Sequence, residues 1–235
     1  MNRKHYFISD VHLGRKGKEE REKKILSFLE FIKRDASSLF ILGDLFDFWW
    51  EYKTVIPKDN LEFFFRIREL IAQGVKIYYL PGNHDWTAGR FFSGLGVVVA
   101  REMEILLFEK PVFLIHGDFL DDSLLTNFSR FAYRFPISRF LFSLLHPNLG
   151  IPLARNFIGI SGGTAWVKHL EKKFLKFAEE KIREGFFLVG LGHIHTPSLE
   201  KIGDGYYLNP GDWLFHFTYG VLDDKEGVKL EKWEG

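Results

Sequence analysis

The chain has 235 residues, of which 46% are hydrophobic, and its 32 basic and 31 acidic residues give a formal net charge of +1 at pH 7. This length and apolar content suffice for one domain with a sizeable core, and the balanced charge excludes binding to polyanions through overall charge. The absence of cysteine excludes disulfides, thiolate zinc sites and a cysteine nucleophile. No signal peptide precedes the first strand pattern, and no apolar run reaches the roughly 18 residues of a membrane-spanning helix, so we expect a cytoplasmic protein.

Five nearly continuous apolar runs predict strands covered on both faces; they are residues 5–10, 39–44, 76–83, 111–118 and 186–193. Apolar residues at helical spacing, with charged residues opposite them, predict helices over residues 19–35, 60–74 and 164–185. Strands that alternate with helices at these lengths predict βαβ units and an α/β architecture. Residues 205–213 and 216–223 predict further strands with no helix between them.

The segment from residue 123 to residue 170 differs from the rest of the chain because it contains no aspartate or glutamate. It interrupts the alternation of strands and helices, and it combines arginine with many phenylalanines. We therefore predict a single domain, residues 1–235, with a helical cap inserted over the active site at residues 123–165. A basic, aromatic cap favours a substrate with an anionic head and an apolar body, although packing between inserted helices also explains the phenylalanines.

Polar side chains able to bind a metal follow every one of the five predicted strands; they are Asp10, His12, Asp44, Asp47, Asn83, His84, Asp85, His116, His193 and His195. In an open α/β sheet, ligands bind beyond the carboxyl ends of the strands. A turn explains any one of these residues. It does not explain why residue types that can bind a metal follow all five strands. Carboxylate, imidazole and amide ligands without sulfur suit Mn, Fe or Zn, and two such ions about 3.5–4 Å apart clamp a phosphoryl group during in-line displacement.

The order and spacing of these residues resemble the calcineurin-like metallophosphoesterase superfamily. The matching motifs are D-x-H at 10–12, GDxxD at 43–47, GNHD at 82–85, a strand-end histidine at 116 and GHxH at 192–195. The resemblance implies a two-sheet sandwich flanked by helices, which is an α/β fold. It also implies two divalent metal ions, Mn²⁺ with Fe or Zn as alternatives.

The same resemblance implies a role for each motif residue. One ion takes Asp10, His12, Asp44 and His195, and the other takes Asp44, Asn83, His116 and His193, so that Asp44 bridges them. His84 is then a catalytic residue that protonates the leaving oxygen or holds the phosphate, and Asp85 orients it. Asp47 is expected to orient a ligand histidine.

Residues 41–53, 145–157 and 209–213 resemble, more narrowly, the UDP-2,3-diacylglucosamine pyrophosphohydrolase family of lipid A biosynthesis. This implies that water attacks the α-phosphorus of UDP-2,3-diacylglucosamine, an acylated UDP-sugar, and releases UMP and 2,3-diacylglucosamine 1-phosphate. The substrate-binding residues expected on this basis are Asn83, His84, Asp122, Ser161, Lys168 and His195. Arg155 joins them as a phosphate contact because of its charge.

Two features depart from that family. His84 stands where its well-known members carry arginine, and the acidic pair at 121–122 follows His116 sooner than in the family. The contact between substrate and residue 84 therefore cannot be copied from those members.

The implied substrate and the basic cap predict an anionic inner-membrane surface as a partner. We expect peripheral attachment to the cytoplasmic face of the inner membrane of a Gram-negative-type bacterium, with no nucleic-acid partner and no obligate protein partner. Two alternatives stay open. One is a dimetal phosphoesterase that acts on another nucleotide, nucleotide sugar or nucleic acid, and the other is a non-catalytic scaffold that keeps the fold.

Overall fold

The structure is a computed structural model that describes residues 3–15, 18–123, 126–127, 135–157 and 164–235. Its strands are β1 (Lys4–Ile8), β2 (Ala36–Ile41), β3 (Lys76–Tyr79), β4 (Val98–Val99), β5 (Glu102–Leu107), β6 (Lys110–Ile115), β7 (Leu188–Leu191), β8 (Ser198–Ile202), β9 (Gly205–Asn209), β10 (Thr218–Asp223) and β11 (Gly227–Lys232). Its helices include α1 (Lys18–Ile32), α2 (Leu61–Ala72), α3 (Arg90–Leu95), α4 (Pro136–Ser143), α5 (Pro147–Phe157) and α6 (Thr164–Arg183). The five predicted buried strands are β1, β2, β3, β6 and β7, and the three predicted helices are α1, α2 and α6.

The strands form two sheets whose central strands are parallel. In the first sheet, of order β11-β10-β1-β2-β3-β4, strands β1 to β4 pair in parallel and β10 and β11 are antiparallel at one edge. In the second sheet, of order β5-β6-β7-β9-β8, strands β6, β7 and β9 pair in parallel. Because parallel strands present their carboxyl ends at the same edge of a sheet, the loops that follow them are brought together.

The two sheets pack face to face, and helices cover their outer faces. On β1, Tyr6 and Ile8 are buried on the side of α1 and α2, whereas Phe7 is buried between the sheets. On the far side, Leu170 and Phe174 of α6 pack on the second sheet. Each such buried side chain stabilises the fold by roughly 1.5–3 kcal/mol. The α/β fold expected from the sequence, a two-sheet sandwich flanked by helices, is confirmed.

The helices α4 and α5 lie within the predicted cap and rest on aromatic side chains that follow β2. Phe48 and Trp50 are buried there with Ala154 of α5, and Phe142 of α4 packs beside them. The rest of the helix pair exposes large apolar side chains: Phe135, Ile137, Phe140, Leu141, Leu144, Leu145, Leu149 and Leu153. The boundaries 1–235 for the domain and 123–165 for the cap stay predictions.

None of the described helices has the length and apolar content needed to cross a membrane.

Candidate metal centre and active site

The polar side chains that follow β1, β2, β3, β6 and β7 meet in one cluster, as the parallel strand order requires. Its members, all buried except the partly exposed His195, are Asp10, His12, Asp44, Asp47, Asn83, His84, Asp85, His116, His193 and His195. Ligand atoms converge in three groups within the cluster: Asp10, His12 and His195; Asp44, His116 and His193; and His12, Asp47 and His84.

The first group consists of Asp10, His12 and His195. The Nε2 atoms of the two histidines lie 3.4 Å apart, and Asp10 Oδ1 lies 3.4 Å from His195 Nε2 and 3.9 Å from His12 Nε2. The other oxygen, Asp10 Oδ2, accepts hydrogen bonds from Ser9 Oγ and from the backbone N–H of His193. One ligand atom from each of the three side chains therefore points to a common centre, as a metal ion requires.

The second group consists of Asp44, His116 and His193, with Asn83 beside them. Asp44 Oδ2 lies 3.5 Å from His116 Nε2, which lies 3.4 Å from Asn83 Oδ1. Asp44 Oδ1 accepts a hydrogen bond from the backbone N–H of His84 at 2.9 Å. The first group lacks Asp44, the predicted bridge, which lies in the second group. The assignment of two ions to these residues stays a prediction.

Asp47 contacts two histidines, His12 and His84, with which it forms the third group. Its Oδ1 lies 3.8 Å from His12 Nδ1, the nitrogen that faces away from His195. Its backbone carbonyl accepts a hydrogen bond from His84 Nδ1 at 2.7 Å. A carbonyl that accepts from an imidazole fixes the orientation of its ring, so Asp47 orients His84.

Two other histidines have one ring nitrogen bonded to an acceptor on the protein. His116 Nδ1 donates to the carbonyl oxygen of Leu42 at 2.6 Å, and His195 Nδ1 donates to Asp212 Oδ2 at 3.1 Å. When these imidazoles are neutral, their single proton lies on Nδ1, and each Nε2 faces the cluster with a free lone pair. Both rings therefore have the orientation that the predicted metal ligands require.

His193 is held the other way round. Its Nε2 donates to Asp121 Oδ2 at 3.2 Å, and its buried Nδ1 has no hydrogen-bond partner among the described residues. Asp121 in turn accepts from Thr126 Oγ1 at 2.5 Å and from Trp166 Nε1 at 3.3 Å. The Phe174 ring stacks nearly parallel to the imidazole, with the ring centroids 6.3 Å apart. Helix α6 thus helps to fix His193 with Nδ1 available to a metal.

The backbone of the cluster adopts conformations that L-residues rarely take. Positive φ angles between 47° and 69° occur at Asp10, His12, Asp44, His193 and His195. This left-handed region costs roughly 1–2 kcal/mol for a residue other than glycine. In the described chain only three further non-glycine residues share it, so the strain concentrates at the predicted metal ligands, as it does at functional sites.

Two motif glycines give the ligand side chains room. A Cβ atom on Gly82 would collide with Asp44 Oδ1 and His116 Nε2, and a Cβ atom on Gly43 would collide with His116 Nδ1. Gly43 also has a φ of +90°, which glycine adopts without strain. The close approach of the ligands therefore accounts for glycine at both motif positions.

Burial and neighbouring charges shift the pKa values of several groups in the cluster, some upward and some downward. Burial raises the pKa of Asp10, and burial together with the Asp44 charge raises the pKa of Asp85 to about 7. Burial also disfavours the charged form of Asp44, but the His84 and His116 imidazoles hold its pKa well below the usual range. Burial alone would lower the pKa of His116, but Asp44 overrides it and raises that pKa to about 10. The buried Asp44 carboxylate thus favours positive charge beside it.

The residues of the cluster fit divalent metal ions. Asp10 Oδ1 and His193 Nδ1 are buried and lack hydrogen-bond partners among the described residues, although buried polar atoms are normally satisfied. Both atoms belong to predicted ligands. Oxygen and imidazole donors without sulfur suit Mn, Fe or Zn.

Arg155 of α5 reaches the edge of the cluster. Its guanidinium lies so close to Gly14 that an added Cβ atom there would collide with it. Its charge lowers the pKa of Asp47 against the larger raising effect of burial, and so does the charge of Arg15, whose Nη1 lies 3.6 Å from Asp47 Oδ1. Arg15, from the loop after β1, and Arg155, from the cap, therefore both place positive charge near Asp47.

Three further residues, Asp122, Lys168 and Ser161, were predicted to contact the substrate. Asp122 is 71% exposed in its side chain and accepts a hydrogen bond from Lys173 at 2.8 Å, so its neighbour Asp121 is the acidic residue that contacts the cluster. Lys168 is exposed on α6, and no described hydrogen bond or ion pair joins it to the cluster. Ser161 lies outside the described residues.

Asp85 also differs from the expectation. Its carboxylate accepts hydrogen bonds from the backbone N–H groups of Leu45, Phe46 and Gly82 at 3.1–3.4 Å. The described bond that orients the His84 ring comes instead from the Asp47 carbonyl. Asp85 therefore shapes the loop that carries Asp44.

Sequence reasoning missed Asp121 and Asp212, which orient His193 and His195. Asp212 lies within the "NPGDW" segment at 209–213, whose resemblance implies no role for its aspartate. Asp121 is the neighbour of Asp122, the acidic residue that was predicted to contact the substrate. An aspartate in a turn is common, so neither position had a signal of its own.

Comparison with known proteins decides the family. A family model described as calcineurin-like phosphoesterase matches residues 4–197. The chain belongs to the calcineurin-like phosphoesterase family. It is 32% identical to a UDP-2,3-diacylglucosamine hydrolase from Porphyromonas gingivalis, over 95% of each chain. It is 30% identical to a protein of the same name from Haemophilus influenzae, over 94% of this chain and 95% of the other.

A solved structure of an archaeal phosphodiesterase has the same fold. The TM-score is 0.53 at 15% sequence identity, and the match covers 97% of this chain and 98% of the other. The calcineurin-like family membership makes this chain a metal-dependent phosphoester hydrolase and implies a dimetal site, for which the convergent ligand groups are the candidates.

Proposed function

We propose that this calcineurin-like phosphoesterase hydrolyses the pyrophosphate of UDP-2,3-diacylglucosamine and releases UMP and 2,3-diacylglucosamine 1-phosphate. The observation that carries the proposal is the similarity over 95% of both chains to a protein of that named activity, because it extends through the cap as well as the metal motifs. The cap supports it independently, since its arginine faces the metal centre and its helices present apolar side chains.

Two divalent ions, Mn²⁺ with Fe or Zn as alternatives, would be held by the two ligand groups. Asp10, His12 and His195 would hold one, and Asn83, His116 and His193 would hold the other, with Asp44 as the bridge. When bound, such ions supply Lewis acidity toward the phosphoryl group and an activated water. The pre-oriented imidazoles would bind them without a large rearrangement of side chains.

His84 is suited to deliver a proton to the leaving group. Its Nδ1 is held by the Asp47 carbonyl, and its Nε2 faces the cluster, 3.8 Å from Asp44 Oδ2. As the oxygen of water bonds to the α-phosphorus and one proton of that water passes to solvent, the bond from that phosphorus to the bridging oxygen breaks. The bridging oxygen leaves on 2,3-diacylglucosamine 1-phosphate and takes the proton from His84 Nε2.

The cap would hold the acylated half of the substrate. Arg155 would bind a phosphate of the pyrophosphate, as a guanidinium binds phosphate oxygens. The apolar side chains of α4 and α5 would cover acyl chains or contact the membrane from which the substrate is drawn. We further propose that the protein acts in the cytoplasm, as a peripheral protein on the anionic inner-membrane surface.

Hydrolysis in ¹⁸O-labelled water tests this reaction. With Mn²⁺ and UDP-2,3-diacylglucosamine, the label should appear in UMP and not in the sugar phosphate, because the new bond forms at the α-phosphorus. Label in 2,3-diacylglucosamine 1-phosphate would place the attack on the other phosphorus. No turnover, with active hydrolysis of small phosphodiesters by the same preparation, would refute the substrate.

A further inference from the structure

A groove of about 580 Å³ opens beside the metal centre, on a side to which the described cap contributes no residue. It lies between the loop after β3, the link from β4 to β5, and the turn after β6. Its lining includes Gly82, Trp86, Arg101, His116, Asp118 and Phe119. Small-molecule sites in proteins have volumes of about 300–1,000 Å³, so the groove has room for a nucleotide.

The inner end of the groove is the metal centre itself. Gly82 and His116 line it there, and His116 Nε2 lies 3.5 Å from Asp44 Oδ2. A phosphate held at the centre therefore has a direct path for one of its substituents into this groove.

The groove and the cap differ in chemistry. Trp86 separates them, because it lines the groove while its ring packs against Phe142 of α4 with the centroids 5.9 Å apart. On the cap side the described surface is dominated by exposed leucine, isoleucine and phenylalanine. On the groove side, Arg101 and Asp118 are charged, and neither has an ion-pair partner among the described residues. An acyl chain suits the first side and a polar group suits the second.

The aromatic lining suits a base. Phe119 is 41% exposed, and its ring is held edge-on by Phe177 with the centroids 5.3 Å apart. A fixed, exposed ring is a platform on which a base can stack. Uracil and ribose carry both donors and acceptors, which the Arg101 guanidinium and the Asp118 carboxylate can satisfy.

We propose that this groove binds the uridine half of the substrate, with the base on Phe119 and its polar edge between Arg101 and Asp118. The assignment rests on the proposed function, since it supposes a substrate with one nucleotide half and one acylated half. The pyrophosphate then spans the metal centre, with uridine in the groove and the acylated sugar under the cap.

Photo-crosslinking with 5-iodo-UMP tests the location without any turnover. The Mn²⁺-loaded full chain is irradiated with the probe, with and without excess UMP, and the crosslinked peptide is identified by mass spectrometry. We expect UMP-protected crosslinks at Phe119 or Trp86. Crosslinks confined to α4 or α5, or no UMP-protected crosslink, would overturn the assignment.

Two variants test the energetics. Phe119→Ala and Arg101→Ala should each raise the KM for UDP-2,3-diacylglucosamine and the inhibition constant of UMP about tenfold, because the first removes the ring on which the base stacks and the second removes the donors to its polar edge. Metal content should stay at the wild-type level. The control Phe65→Ala removes a phenylalanine that is 59% exposed on α2, and it should change neither constant.

The outcomes separate the two proposals. Normal turnover of the UDP-sugar with unchanged constants in both groove variants refutes the groove and leaves the proposed function intact. If the wild type does not hydrolyse this substrate, the proposed function fails, and the crosslinking result alone decides whether the groove binds a nucleotide.

Discussion

Three of the four predicted ligand histidines present one chosen nitrogen because an acceptor on the protein holds the other. The Leu42 carbonyl, Asp121 and Asp212 do this for His116, His193 and His195. These anchors fix the ring orientation before any ion binds, which lowers the entropy that metal binding costs. They also make specific predictions for residues that touch no metal.

Asp212→Asn should weaken metal binding about 10–100-fold. Burial raises the pKa of Asp212, but the bond from His195 and the backbone N–H groups of Phe215 and His216 outweigh it and hold that pKa at about 2, so Asp212 is charged at neutral pH. An amide keeps the shape but no longer offers two acceptor oxygens. Metal titration of the purified variant measures the loss, and the exposed Asp122→Asn serves as the matched control. Wild-type affinity in Asp212→Asn would contradict the anchoring role.

His84→Ala should leave metal content unchanged while turnover of UDP-2,3-diacylglucosamine falls roughly 10²–10⁴-fold, the effect of a lost general acid. The loss should be much larger for a diester with an alkoxide leaving group, which needs the proton, than for a diester with a 4-nitrophenolate leaving group, which does not. Steady-state rates on both diesters, with metal analysis of the same samples, check this. An equal loss on both diesters would assign His84 to phosphate binding instead.

The clustering of the predicted ligands was predictable because they follow predicted strands at motif spacing, whereas their anchors were not. Asp212 meets His195 only because the turn after β9 returns to the end of β7, a contact that local sequence does not encode. The contact between Asp121 and His193 was missed for a related reason. In an acidic pair, the side that faces the cluster depends on the turn after β6, which ends at Asp121.

His5 occupies a half-buried position on strand β1. The side chains of this strand alternate between the helix-covered face of the first sheet and the layer between the two sheets. The Nδ1 atom of His5 shares a hydrogen bond of 2.7 Å with Ser38 Oγ on β2, and the Phe108 ring packs edge-on against the imidazole. Burial lowers the pKa of His5 to about 4. The unfolded chain, with a pKa near 6.5, therefore binds the proton more readily than the fold does.

His5→Gln should make the stability of the fold less sensitive to acid. The contribution of His5 is fully present above pH 6.5 and is lost as the pH falls from 6.5 to about 4, because protonation favours the unfolded chain. After allowance for partial exposure, the wild type should lose about 1–2 kcal/mol more than the variant between pH 7 and pH 4.5. Urea unfolding of both proteins at the two pH values measures it, and parallel losses would refute the shift.

Among the elements, the buried parallel strands and the long helices were predictable because continuous apolar runs and helical periodicity mark them. The antiparallel strand β5 was missed because it is only half-buried: Met103, Ile105 and Leu107 face inward, while glutamates alternate with the first two. Strand β4 has two residues and α3 has six, too few for a period to be detected.

The cap and the metal centre lie on the same face of the molecule. The helices α4 and α5 are seated on Phe48 and Trp50, yet they expose many apolar side chains. Patches of this kind mark interaction surfaces. Arginines within the same helices, Arg139 and Arg155, favour an anionic partner.

Removal of exposed apolar side chains from α4 should weaken binding to anionic vesicles. Ile137 and Phe140 are each 62% exposed, and burial of such a side chain in lipid contributes about 1.5–3 kcal/mol. Ile137→Ser and Phe140→Ser should therefore each lower the partition constant for phosphatidylglycerol-containing vesicles about tenfold in sedimentation assays. Phe65→Ser, on α2, should not. Equal binding of all three variants would exclude α4 from the membrane contact.

The most direct measurement compares kcat/KM for UDP-2,3-diacylglucosamine and for unacylated UDP-N-acetylglucosamine under the same Mn²⁺-loaded conditions. A metal centre that serves an apolar cap should favour the acylated substrate by roughly 100-fold or more, since each buried methylene contributes about 0.8 kcal/mol. Asp44→Ala should abolish both activities. Equal or faster turnover of the unacylated nucleotide sugar would contradict the account.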